Sequence, residues 1–191
     1  VGAAGLLLAP GAGSDRDHPS LRAIAERLAP LPVRRMDFPY RKAGRRAPDR
    51  APVLLDAVRT ELTDFAAELG VDTGAVVVGG RSMGGRMCSM VAAEGTPVAG
   101  LVCICYPLHP PGKPERLRTE HLPDITVPAL FVGGDRDPFG TPEELTAATA
   151  LVRGRVTHHW IAGGRHDLKG ADDELAEVIS RWVRRRRVRP R

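Results

Sequence analysis

The chain has 191 residues, of which 42% are hydrophobic and 27% charged, and its formal net charge is +5. That length suits one domain with a full core, and the balance is that of an ordinary globular chain. No apolar run approaches the roughly 20 residues of a membrane-spanning helix; the opening run ending at Ala9 is short, lacks a basic lead-in, and reads as a strand rather than a signal peptide.

In chain order, an apolar run at 5–9 leads into Pro10-Gly11-Ala12-Gly13-Ser14-Asp15 and an amphipathic stretch at 18–28. A second run at 33–38 precedes a basic loop at 41–50. The spacing of Leu54, Leu55, Val58, Leu62, Phe65 and Leu69 predicts a helix over 52–69. Pro52 fits its first turn and Gly70 the position just past its end. A third run at 75–79 meets a helix-compatible stretch at 83–94, and a fourth covers 98–106. A Pro-rich loop at 109–114 follows. Strands at 127–133 and 156–161 alternate with helices at 142–151 and 171–187. Thr141-Pro142-Glu143-Glu144 is a helix start with a cap, a proline and acids in the first turn. Continuous apolarity suits parallel strands covered on both faces, and the alternation predicts an α/β fold.

The junction at 75–94 carries the chemistry. Gly80-Arg81-Ser82-Met83-Gly84 reads Gly-x-Ser-x-Gly between a strand and a helix. In that context the pattern is a nucleophile elbow, with Ser82 exposed on a strained turn. A Cβ at the flanking glycines would strike the neighbouring strand and helix. A serine hydroxyl needs a base, and the base needs an orienting acid. In this arrangement they follow in the order Ser, acid, His. His166, just after the last strand, is the candidate base. His158 and His159 lie within that strand, His121 in a connecting segment and His109 in the Pro-rich loop. Asp137 is the candidate acid. Asp135 is the alternative, although it sits close enough to the strand end to bond the turn instead. The oxyanion donors are expected from the Met83 amide and the loop after the first strand, at Ala12 or next at Gly13. Arg81 and Arg86 flank the elbow; they either face an acidic substrate or pair with carboxylates such as Asp135 or Asp37.

No His/Cys/Asp set has metal-ligand spacing, and Gly11-x-Gly13 lacks the third glycine of a dinucleotide loop, so neither a metal nor a cofactor is expected. The three cysteines, Cys88, Cys103 and Cys105, lack framework spacing and read as buried apolar groups in a reducing cytoplasm. Cys103 and Cys105, two apart in one strand, should share a face. Residues 181–191 carry seven arginines and no acid. This run reads as the solvated end of the last helix, and nucleic acid is not an expected partner. The organisation expected is a single domain over 1–183 and a basic tail over 184–191; self-association into a homo-oligomer stays open.

The segments 6–13, 37–40, 79–86, 134–140 and 164–167 together resemble an α/β-hydrolase of the dienelactone-hydrolase-like branch. Within it, the chain is similar to small bacterial proteins related to the scaffold subunit of the NSL histone-acetyltransferase complex. The resemblance spans about 5 to 169 and implies Ser82 as nucleophile, Asp137 as acid and His166 as base. It also implies a minimal three-layer fold with a mostly parallel sheet of about six strands. Pro10 stands where many relatives have His, and no insertion is long enough for a lid. The function expected is hydrolysis of a small ester or related acyl substrate through an acyl-enzyme. Some relatives are scaffolds, so a non-catalytic binding module on the same fold is the alternative.

Overall fold

The computed structural model describes residues 2–186. Six parallel strands form one sheet: β1 (Gly5–Ala9), β2 (Val33–Arg35), β3 (Val76–Arg81), β4 (Gly100–Ile104), β5 (Ala129–Gly134) and β6 (Val156–Ile161). Their order across the sheet is β2-β1-β3-β4-β5-β6. The helices are α1 (Pro19–Leu28), α2 (Pro39–Lys42), α3 (Ala51–Glu68), α4 (Met83–Ala93), α5 (Pro142–Thr149) and α6 (Asp172–Arg184). The sheet has a core on each face. On one side Leu54, Val58, Leu62 and Phe65 of α3, with Met87 and Val91 of α4, cover Leu7, Val76, Val78 and Phe131. On the other, Leu21, Ile24 and Leu28 of α1 pack with Leu175, Ile179 and Val183 of α6 over Leu6, Leu8, Val77, Val102 and Val132. β1, β4 and β5 are buried at every position, as continuous apolar runs require in a two-sided parallel sheet.

Local signals account for the helix ends. The Thr141 hydroxyl accepts from the Glu144 amide and the Glu144 carboxylate accepts from the Thr141 amide, a complete capping box. α6 begins with Asp172, Asp173 and Glu174 and ends with Arg181 and Arg184, which suits the helix dipole at both ends. Arg184 donates to the carbonyls of Leu28 and Ala29, and the Arg186 guanidinium stacks on Trp182. The first arginines of the basic segment therefore lie on the body of the fold. Residues 187–191 lie outside the described residues.

Three sequence expectations need correction. The strand expected at 33–38 ends at Arg35, because Phe38 and Pro39 start α2, a short helix that the sequence reading treats as strand end and loop. The strand expected at 75–79 instead runs through Gly80 to Arg81, which pair with Cys103 and Ile104. Cys103 and Cys105 do not share a face: β4 stops at Ile104, and Cys105 has φ 49°, which turns its side chain into the opposite core. All three cysteines are free and buried. Among the described residues no helix is long and apolar enough to cross a membrane.

Under α4, the buried Ser89 hydroxyl donates to the Arg86 carbonyl and lies 2.8 Å from Nε2 of His121. Burial, reinforced by the nearby Arg86 charge, lowers the His121 pKa to about 4. The unfolded chain would bind a proton near the ordinary histidine value of about 6.5, where the folded protein does not. His121 therefore adds stability above about pH 6.5 that is lost as pH falls toward 4. Replacing it with Asn should flatten the decline of the urea midpoint between pH 6.5 and 4. An unchanged slope would exclude His121 as its source.

Candidate active site

The elbow forms where β3 meets α4. Ser82 has φ 50° and ψ −118°, a conformation that costs a non-glycine residue on the order of 1–3 kcal/mol and must be imposed by its surroundings. Its amide donates to the Ile104 carbonyl at 2.7 Å, which fixes the turn to β4. A Cβ at Gly80 would lie 2.4 Å from the Ala9 carbonyl oxygen and 2.8 Å from the Gly84 carbonyl carbon. A Cβ at Gly84 would lie 2.4 Å from the same Ala9 oxygen. β1, β3 and α4 thus approach so closely that only hydrogen fits at these positions, and the turn has nowhere to relax.

The structure brings Ser82, His166 and Asp137 into one chain of hydrogen bonds. His166 Nε2 lies 2.9 Å from Ser82 Oγ. His166 Nδ1 lies 2.8 Å from Asp137 Oδ2 and 3.0 Å from Oδ1. A carboxylate only accepts, so Nδ1 carries the hydrogen, and Nε2 of a neutral ring is left to accept from the serine. The Asp137 side chain is 4% exposed and that of His166 23%. Asp137 Oδ1 also accepts from the Phe139 amide, and the Phe139 ring stacks on the imidazole with centroids 4.0 Å apart. Asp135, the alternative acid, does not reach His166; its amide donates to the Ile161 carbonyl at the turn.

The other histidines have partners elsewhere. His109 contacts Glu144, His158 contacts Thr149 and stacks on Trp160, and His159 pairs with Glu174. The residues expected to supply the oxyanion donors are Met83, which follows Ser82 in sequence, and Ala12, which lies in the loop after β1. Met83 is the first residue of α4, where amides lack a helical partner. The loop of Ala12 comes against the elbow at Gly11, where a Cβ would lie 3.7 Å from Ser82 Cβ. The Tyr40 hydroxyl donates to the Ala12 carbonyl at 2.8 Å and so holds this loop from α2. Gly13 has open space around it. The Pro-rich loop also arrives here, since the His109 amide donates to the Phe139 carbonyl at 3.1 Å.

Asp37 pairs with Arg16, and among the described residues neither Arg81 nor Arg86 forms an ion pair with Asp37 or Asp135. Arg86 Nε is buried without a hydrogen-bond partner, and Arg81 is buried against the backbone of His166. Among the described residues one group of potential metal-ligand atoms comes together: the Cys105 thiol, Asp137 and His166, all within 4.8 Å. Burial pushes the Cys105 thiol up to about 12, so it stands there as a neutral S–H, and the other two groups already bond each other. The stacking by Phe139 and the Tyr40 strut were not foreseen from the sequence. For Phe139 the available signal was its place two residues after Asp137.

The α/β hydrolase domain family model matches residues 2–184. Solved structures share the fold at low identity. An α/β serine hydrolase homologue from Coxiella burnetii superposes with a TM-score of 0.73 at 18% identity, covering 96% of this chain and 86% of that one. The esterase domain of a Rhodothermus marinus protein gives 0.73 at 16% identity, covering 96% and 88%. A dienelactone hydrolase from Anabaena variabilis gives 0.71 at 23% identity, covering 95% and 86%. The chain belongs to the α/β hydrolase domain family.

The close approach at the elbow predicts the effect of a single methyl group. Gly80→Ala should destabilise the protein by about 1–3 kcal/mol, the usual range for overpacking a tight core. Chemical denaturation measures this directly. A wild-type midpoint would mean that β1 and α4 are not held as closely as described.

Proposed function

We propose that this α/β hydrolase is a serine hydrolase that cleaves a small ester or related acyl substrate through an acyl-enzyme. The observation that carries the reading is the continuous Ser82–His166–Asp137 hydrogen-bond chain on a strained, glycine-packed turn. In this reading His166 Nε2 removes the hydroxyl proton as Ser82 Oγ bonds to the acyl carbon. Asp137 holds the reactive tautomer and offsets the charge that forms on the ring. The Met83 and Ala12 amides donate to the carbonyl oxygen as it becomes an oxyanion. The tetrahedral intermediate collapses, the bond to the leaving group breaks, and His166 returns the proton to that group. Water then repeats the sequence on the acyl-enzyme and releases the acid with Ser82 restored.

The wider motif around the elbow supports a place in the dienelactone-hydrolase-like branch. The hydrolase reading is favoured over a binding module because a module needs neither the backbone strain at Ser82 nor a buried carboxylate aimed at the imidazole. We assign the chain to one catalytic domain, with acyl compounds as substrates.

A fluorophosphonate probe should label the wild type on the Ser82 peptide, and mass spectrometry would locate the adduct. Ser82→Ala should lower turnover of p-nitrophenyl esters by a factor on the order of 10³ or more. Asp137→Asn should lower it by roughly 10²–10⁴, whereas Asp135→Asn should leave it within about twofold. Wild-type turnover in Ser82→Ala would refute the mechanism, and an Asp135 effect larger than that of Asp137 would reverse the choice of acid.

A further inference from the structure

The mechanism above gives no task to Arg81, yet Arg81 touches its centre. It ends β3 one residue before Ser82 and is only 6% exposed. Its backbone is fixed by pairing with Ile104. Its Nη2 donates to the His166 carbonyl at 2.6 Å. Its Nη1 is buried with no hydrogen-bond partner, and no carboxylate pairs with it among the described residues. The charge also reaches His18 at the start of α1, where after burial it is the next largest influence lowering the histidine pKa. Side chains alternate along β3, so Arg81 shares the face of Val77, which is the α1 side of the sheet, and its guanidinium meets the loop that carries the base.

A buried cation in this state is a poor source of stability. Its desolvation is uncompensated by an ion pair, and an apolar side chain of similar length would avoid that penalty. What the guanidinium adds is its bond to His166. Beyond the contacts of the His166 ring with Asp137 and Phe139, that loop has little else to hold it: Ala162, Gly163, Arg165, Asp167, Lys169 and Gly170 are all exposed. The loop is anchored at Gly164, whose carbonyl accepts from the Arg136 amide, and at buried Leu168. Between those anchors, the bond from Arg81 is the one hydrogen bond that the His166 main chain makes among the described residues.

We propose that Arg81 is a positioning residue for the base, tying the strand that carries the nucleophile to the backbone of His166 and so fixing the Ser82–His166 distance. The proposal rests on the reading of His166 as the base for Ser82. Because Arg81 and Ser82 are adjacent in sequence, one rigid strand sets both ends of the Ser–His contact.

The test compares full-length Arg81→Met and Arg81→Lys with the wild type by three measurements. Denaturation gives stability. Steady-state kinetics on p-nitrophenyl acetate gives kcat and KM separately. Proton NMR follows the downfield Nδ1–H of His166, which reports its bond to Asp137 whether or not any ester is turned over. Arg81→Met should keep or raise the unfolding midpoint and broaden or lose the Nδ1–H resonance. Its kcat should fall roughly 10- to 100-fold, the scale expected when a reacting group is misplaced by about 1 Å, with KM within about twofold. Arg81→Lys, which keeps one donor, should recover much of both kcat and the resonance. The proposal is overturned if Arg81→Met retains wild-type kcat and a sharp resonance, if its losses follow a lowered midpoint, or if Lys is no better than Met. Should the wild type cleave no ester, the functional reading fails, and the resonance in wild type and Arg81→Met still decides whether Arg81 holds the imidazole.

Discussion

The close packing of β1, β3 and α4 at the elbow is the constraint on which the rest of the site depends. A serine at φ 50° would relax if its neighbours allowed it. They do not, because the Ala9 carbonyl sits where a side chain at Gly80 or Gly84 would be, and because the Ser82 amide is bound to Ile104. The strain is spread over a core that is stable for other reasons, chiefly the two apolar layers on the sheet.

Around that fixed point, three loops converge from the C-terminal ends of strands. β5 delivers Asp137 and Phe139, β6 delivers His166, and β1 delivers the Ala12 loop. The site is built from loops, and the β6 and β1 loops are braced by residues from elsewhere in the chain. Phe139 stacks on the imidazole while its amide bonds the carboxylate that orients the same ring. Tyr40 braces the Ala12 carbonyl. Phe139 braces from two residues past Asp137, and Tyr40 braces from α2.

Much of this was legible in the sequence, for identifiable reasons. Parallel strands buried on both faces are continuous apolar runs, so 5–9 coincides with β1; β6 matches 156–161 although, as an edge strand, it is buried only at Ile161. The order of Ser82, Asp137 and His166 follows from which strand ends meet at one sheet edge. What was hidden depends on contacts between distant segments. Cys105 leaves its expected face because the strand stops one residue earlier. Arg81 looked like a residue facing substrate or pairing with an acid, and its actual partner is a carbonyl 85 positions away. A backbone acceptor carries no mark in the sequence, so side chains that bond to main chain are the ones that sequence reading misassigns. α2 carries no helix signal in the sequence because four residues offer too short a pattern to recognise.

The strand order has a consequence for how the molecule assembles. β1 lies between β2 and β3, and its long pairing, from Gly5 opposite Val76 to Ala9 opposite Gly80, joins segments about 70 residues apart. Until β3 is available, the run Leu6-Leu7-Leu8 has only the three-residue β2 beside it. A ribosome adding roughly 5–20 residues per second leaves that apolar strand half-paired for several seconds or more. The contact that compresses the turn at Ser82 must therefore wait for β3 and α4, yet it can form before β5, β6 and α6 are made. Until β3 arrives, the exposed edge of Leu6-Leu7-Leu8 is the place where one new chain could pair with another.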